Sequence, residues 1–266
     1  MTSDKWIFDC FQTGRDAEVM EFLTRQPEYL HLRDSDGATL LHHCARSNSL
    51  PLAQFLLNHG LSPNLRTHEN RTPLHDSFEH GTEAISKILL ENGAEVDIHY
   101  AAAIGDLETL AMFLDKCPDM LFDVSTGLTL LDWAAFGNSD DAIRLLNDRG
   151  LDVNFRTQTE SATALMAAAQ YNHCKAARAL LELGCDPNLS THEGFTPLHY
   201  AATMRYASDT TPVTAMMLAY DAEVNTRAKQ DLTPLGVLEK TRSSQPDATR
   251  NYEGLQALLA IHGAVL

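Results

Sequence analysis

A four-residue motif returns along this chain at a nearly fixed step, and that step dictates what the chain can fold into. Thr39 opens "TLLH", Thr72 "TPLH", Thr129 "TLLD", Thr163 "TALM", Thr196 "TPLH" and Thr233 "TPLG". Thr39 to Thr72 and Thr163 to Thr196 are 33 residues apart, and Thr129 to Thr163 is 34. A second marker keeps the same register: "NHGLSPN", "ENGAEVD", "DRGLDVN", "ELGCDPN" and "AYDAEVN", ending at Asn64, Asp97, Asn154, Asn188 and Asn225. Units this short cannot bury an apolar face alone, so the chain must stack them.

Each part of the unit has a physical reason. Thr caps a helix start, and Pro after it costs nothing because the first N–H groups lack intrahelical partners. Small residues in "HYAA", "DWAA" and "MAAAQ" let neighbouring helices approach closely. Leu pairs (Leu56–Leu57, Leu89–Leu90, Leu145–Leu146, Leu180–Leu181) give a second helix its core face. Gly60, Gly93, Gly150 and Gly184 then end that helix with positive φ.

Two markers in one register resemble the ankyrin-repeat family over roughly residues 5–266, most closely in the units at Thr72 and Thr196. The resemblance implies an all-α solenoid of about eight helix-turn-helix units with β-turn fingers, starting near Lys5, Thr39, Thr72, Val96, Thr129, Thr163, Thr196 and Thr233. It also implies protein–protein binding in a concave groove lined by fingers and first helices. His42, His75 and His199 fall in the repeat's own His slot, where the family uses a hydrogen-bonded structural histidine. Asn64, Asn154, Asn188 and Asn225 fall where asparaginyl hydroxylases act in some members, although a structural role at the finger hinge explains them as well.

The register breaks at "AEVDIHYAAAIGD". Asn64 to His75 spans 11 positions, whereas Asp97 to His99 spans 2, so one finger is missing near residues 97–98. The following "HYAAAIGDLETLAMFLDKCPDML" parallels the N-terminal "FDCFQTGRDAEVMEFLTRQPEYL". A starter unit needs no finger, so the sequence predicts two continuous arrays, 1–95 with three units and 96–266 with five. The gap is either a fusion relic or an entry to the groove. Two insertions, around 206–220 and 243–252, are expected between paired helices on one edge, as binding loops or as tolerated drift.

Net charge is −16, which disfavours nucleic acid and favours a protein partner with a basic surface, though acidity also serves solubility alone. No apolar run is long enough to span a membrane, and the start lacks a secretory pattern. Five cysteines without a CxxC fit reduced thiols in the cytoplasm. "HHC" at His42–Cys44 and "NHC" at Asn172–Cys174 cannot converge on one ion from adjacent helix positions. "RDSDG" at Arg33–Gly37 starts like a calcium loop, but Ala45 stands where the bidentate acid belongs, so it reads as a turn. With no nucleophile, base or phosphate loop at a working spacing, no enzyme, metal or cofactor is expected.

The repeat register nominates the partner-binding residues. Arg46, Glu79, His80, Phe136, Gln170, Tyr171, Thr203 and Met204 follow the small pair of the first helix. His68, Glu69, Arg71, His192 and Phe195 lie on fingers, and Trp133 and Tyr200 at the margin. Phe136, Tyr171, Phe195 and Met204, from three consecutive units, suggest hot-spot material, against the alternative that each packs inside the stack. The expected function is a non-catalytic binding module that is monomeric when free. The alternative is a dedicated inhibitor, immunity-protein or antitoxin-like, or an effector blocking an enzyme or toxin, favoured by the lack of a second domain.

Overall fold

A computed structural model describes residues 3–156, 161–245 and 249–266. The chain divides into two compact units, Met1–Asp97 and Ile98–Leu266. Among the described residues there are helices, turns and two isolated bridges but no strand.

The first unit holds α1 (Ser3–Thr13), α2 (Asp16–Arg25), α3 (Leu40–Ser47), α4 (Leu50–Asn58), α5 (Pro73–Glu79) and α6 (Glu83–Glu91). First helices stack as α1–α3–α5 and second helices as α2–α4–α6. Between the layers Leu40, Leu41, Leu52, Leu56, Leu74, Ile85 and Leu89 are buried, which is where the stacking energy resides.

The second unit repeats the arrangement five times. Its first helices are α7 (Ile98–Ile104), α9 (Leu130–Phe136), α11 (Ala164–Tyr171), α13 (Pro197–Thr203) and α15 (Pro234–Ser244). Its second helices are α8 (Leu107–Lys116), α10 (Asp140–Asp148), α12 (Cys174–Glu182), α14 (Thr211–Ala219) and α16 (Tyr252–Ile261). Ala residues let α7 and α9 come very close. A Cβ on Gly137, at the end of α9, would fall 1.6 Å from the Ala103 carbonyl oxygen, so this glycine is required by space and not by its φ of −83°.

Each first helix starts on a capping box. Thr39, Thr72 and Thr196 donate their backbone N–H to Nδ1 of His42, His75 and His199 at 3.0, 3.0 and 3.1 Å. Nδ1 therefore carries no proton, and Nε2–H donates onward: to the Arg71 carbonyl (3.1 Å), the Asp97 carboxylate (3.0 Å) and the Leu232 carbonyl (3.0 Å). Asp132 and Met166 take the same slot after Thr129 and Thr163. The hinge asparagines tie neighbouring repeats together. Asn64, Asn188 and Asn225 donate to the carbonyls of Gly93, Asp221 and Gly263 at 2.9, 3.0 and 2.9 Å. Asn154 donates more weakly, to Gly184 at 3.4 Å.

The starter-like segments share one geometry. In both, the second helix runs into a short 3-10 turn, Pro27–His31 or Pro118–Phe122, through a residue near φ −140° (Gln26, −134°; Cys117, −144°). The insertions differ from expectation in one respect. The first does form the loop 204–210 between α13 and α14, but α15 extends to Ser244 and absorbs part of the second. Residues 246–248 of that second insertion lie outside the described residues. The two loops touch, with the Asn251 N–H donating to the Ser208 carbonyl at 2.8 Å.

Candidate protein-interaction face

In the first unit the nominated residues converge. Arg46, His68, Glu69, Arg71, Glu79 and His80 line one open cavity of about 500 Å³, together with Asp36, Thr67 and Asp76. Asp76, on the first turn of α5, is buried and forms the floor. One of its oxygens accepts from Arg46 Nε at 2.8 Å and the other from Arg71 Nε at 3.2 Å. Arg71 reaches on to Glu79 through its terminal nitrogen. Both guanidinium groups are thus held by an acid that is itself out of water, which makes the network rigid. The fingers form the wall, joined where the His68 N–H donates to the Asp36 carbonyl at 2.9 Å.

The other ionisable motifs are structural. His43 Nε2 lies 2.8 Å from Asp34 Oδ2, and its ring packs on Phe8 and Phe11 at centroid distances of 4.7 and 5.3 Å. Asp34 also accepts the N–H groups of Asp36 and Ala38, so "RDSDG" is a turn pinned by its own aspartate. His173 Nδ1 pairs with the Ala135 carbonyl at 2.9 Å. Burial pushes the thiol of Cys185 up to about 12, which suits a packed side chain and not a nucleophile.

The second unit presents rings. Phe136 at the end of α9 meets Tyr171 at the end of α11 edge-to-face, with centroids 5.5 Å apart at 83°. Tyr171 then stacks on Tyr206 at 4.5 Å and 4°. The Arg205 guanidinium lies 5.1 Å from the Tyr206 centroid. Phe136 and Tyr171 are half-buried, and Tyr206 is 50% exposed.

Trp133 and Met204 are not available to a partner, which corrects the expectation, and Arg71, also buried, is taken up by Asp76 and Glu79. Trp133 is 1% exposed because the position after the tetrad turns inward, and its indole N–H donates to Thr126 Oγ1 at 3.0 Å. Met204 is fully buried, packed with Leu235, Leu238, Tyr252, Leu255 and Leu259. Phe195 is half-buried against the same cluster. Gln170, Tyr200 and Thr203 are half-buried, and His192, exposed on its finger, hydrogen-bonds Ser161 Oγ at 2.7 Å. Sequence reasoning missed Asp76, although an acid in a slot otherwise filled by His43, Trp133, Ala167, Tyr200 and Val237 was a usable signal. It also missed Tyr206 as a member of the ring cluster, because the insertion carries that residue out of register.

Comparison with known proteins agrees with this architecture. The family model described as Ankyrin repeats (3 copies) matches residues 7–98 and 150–228. The chain belongs to the ankyrin-repeat family. Ankyrin repeats are in general protein–protein interaction modules built on a non-catalytic scaffold. The chain is 32% identical over 216 residues to the nuclear factor NF-kappa-B p105 subunit of Gallus gallus, an alignment covering 74% of this chain and 22% of that protein. It is 30% identical over 169 residues to SH3 and multiple ankyrin repeat domains protein 2 of Homo sapiens, covering 59% and 9%. The chain thus spans about a fifth or less of these relatives. Putative ankyrin repeat protein FPV230 of Fowlpox virus is 28% identical over 171 residues, covering 60% of this chain and 90% of that protein. Among solved structures, the human ASB11 ankyrin repeat domain covers 98% of both chains at 19% identity and a TM-score of 0.43. No helix among the described residues is long and apolar enough to cross a membrane.

Proposed function

We propose that this chain is a non-catalytic binding module whose partner protein lies on the face made by the first helices and fingers. The observation that carries the reading is the ladder Phe136–Tyr171–Tyr206, which leaves a half-exposed tyrosine at the surface instead of folding every ring into the core. Tyrosine and arginine in a preformed cluster are the residues that dominate binding energy at interfaces. Rigid repeats also lower the ordering cost of association.

In the first unit the cavity adds a polar contact. Its acids Asp36, Glu69, Asp76 and Glu79 outnumber Arg46 and Arg71, which together with the net charge of −16 supports a basic group on the partner there. The working compartment we assign is the cytoplasm, supported by five cysteines that are all free thiols.

Affinity capture from the native cell, read by mass spectrometry, tests this. A partner recovered with the unaltered chain should be lost with Phe136→Ala and with Tyr171→Ala. Full retention by both variants, each folded by circular dichroism, would refute the reading. Stoichiometry then separates roles: a dedicated inhibitor gives one 1:1 complex, whereas an adaptor holds two partners together.

A further inference from the structure

The loop 204–210 is an insertion in the repeat, yet hydrogen bonds and one buried side chain tie it to the repeats around it. Its entry is unusual. In the two preceding repeats the left-handed residue closing the first helix is an asparagine nine positions after the tetrad threonine, Asn138 (φ 53°) and Asn172 (φ 55°). After Thr196 the left-handed residue comes one position early and is Met204, at φ 44°. An unbranched bulky residue holds this disfavoured conformation only when its surroundings impose it, and here the side chain is locked in the core beside α15 and α16. Further on, the Ser208 carbonyl accepts the Asn251 N–H at 2.8 Å, and Thr210 Oγ1 donates to the Ala201 carbonyl at 2.9 Å. Asp209 turns to the start of α14, accepting the Thr211 N–H at 2.9 Å.

Between these ties the loop presents Arg205 and Tyr206. The tyrosine lengthens the ring ladder by one step, and the arginine lies against the tyrosine. Arg15 makes a similar approach to Trp6, at 5.7 Å, but Glu18 binds it. Arg205 is different: among the described residues no carboxylate lies within 4.0 Å of it, and it is exposed. An arginine with no acid among the described residues, in a chain of net charge −16 and beside an aromatic ladder, has planar donors that no described carboxylate answers.

We infer that the inserted loop 204–210 makes the ring ladder selective for a partner segment that carries a carboxylate next to an apolar side chain. The apolar group covers Tyr171 and Tyr206, and the carboxylate takes the Arg205 guanidinium. This inference rests on the protein-binding reading above and specifies the chemistry recognised at its aromatic patch. It differs from the cavity of the first unit, where both arginines are already paired with acids of the chain itself.

The test uses the full chain and a phage-displayed library of random dodecapeptides. Enriched peptides should carry Asp or Glu within two residues of an aliphatic or aromatic residue. Their affinity should fall about tenfold with Arg205→Gln and with Tyr206→Ala. Arg178→Gln, which removes an exposed arginine of α12 that also has no carboxylate partner among the described residues, should leave it unchanged. Enrichment of basic peptides, no enrichment at all, or indifference to Arg205→Gln would overturn the inference. Peptides lost with Phe136→Ala and Tyr171→Ala but indifferent to Arg205→Gln would leave the binding reading standing and remove only its acidic specificity. Peptides indifferent to all four variants would remove both.

Discussion

The same repeat slots carry opposite chemistry in the two units. Immediately after the tetrad the first unit has His43 and Asp76 where the second has Trp133, Ala167, Tyr200 and Val237. Seven and eight positions after the tetrad threonine the first unit has Arg46, Ser47, Glu79 and His80, whereas the second has two rings, Phe136 and Tyr171, among Gly137, Gln170, Thr203, Met204, Lys240 and Thr241. The backbone is alike in both, so the contrast is one of side chains on a shared scaffold. In the first unit a buried carboxylate organises the face and consumes its own arginines. In the second, rings organise it, and the arginine beside them has no carboxylate partner among the described residues. A charged floor is rigid but internally satisfied, while a stacked ladder leaves its recognition groups to a partner.

The largest effect expected from this contrast is on stability. Asp76→Ala leaves Arg46 without its acid and Arg71 with Glu79 alone, and should cost about 3 kcal/mol or more of the first unit's stability. Urea unfolding followed by Trp6, in the first unit, against Trp133, in the second, measures it. Equal loss at both probes would show that the network is not local to the first unit.

Acid gives the next contrast, one of degree, because burial also lowers His173 and His199 in the second unit. Burial pushes His42 down to about 4 from an ordinary 6.5, because the charged ring would lose its hydration there, and Arg46 and His43 add a smaller push in the same direction. The unfolded chain then binds the proton that the folded one refuses, so stability is complete above about pH 6.5 and falls as pH drops towards 4. The loss from this one group is about 3 kcal/mol. His42→Met, which copies Met166 of the second unit, should flatten that part of the pH profile even while lowering stability at pH 7. A slope unchanged by the substitution would assign the acid sensitivity to other groups.

These contrasts also explain what could be read in advance. Caps, finger register and the six cavity residues of the first unit follow from the tetrad spacing, because short-range hydrogen bonds such as Thr72–His75 fix the local frame. Burial at the edge of a slot does not follow. Trp133 turns inward to meet Thr126, and Met204 is drawn into the core of the last repeat, both decided by neighbours a repeat unit pattern does not specify. Tyr206 escaped notice because its place depends on where the insertion begins and on the left-handed Met204.

Binding supplies the third contrast. Tyr171→Ala removes the middle of the ladder and should weaken the partner complex by about 2 kcal/mol, roughly thirtyfold. Its cost to folding should be smaller, about 1 kcal/mol, because the ring is only half-buried. Asp76→Ala has the opposite signature, dominated by folding. Titration calorimetry alongside thermal unfolding compares the two, and a Tyr171→Ala chain that loses stability without losing affinity would reduce the ladder to packing.

The smallest effect tests whether the second insertion supports the first. Asn251 caps α16 by accepting the Gly254 N–H at 3.0 Å, and its side-chain nitrogen lies 3.5 Å from Thr211 Oγ1. Asn251→Ala should cost about 1 kcal/mol as a lost cap. The main-chain bond from residue 251 to Ser208 survives the substitution in principle, but it must then be made from a frayed helix start. Tyr206 should loosen from Tyr171 as a result, and partner affinity should fall by a few-fold although residue 251 is not part of the ring ladder. Ring-current shifts of the two tyrosines, read by NMR, separate this from simple destabilisation: an unchanged stack with unchanged affinity would make the second insertion a bystander and leave Met204 and the Thr210–Ala201 bond to position the loop.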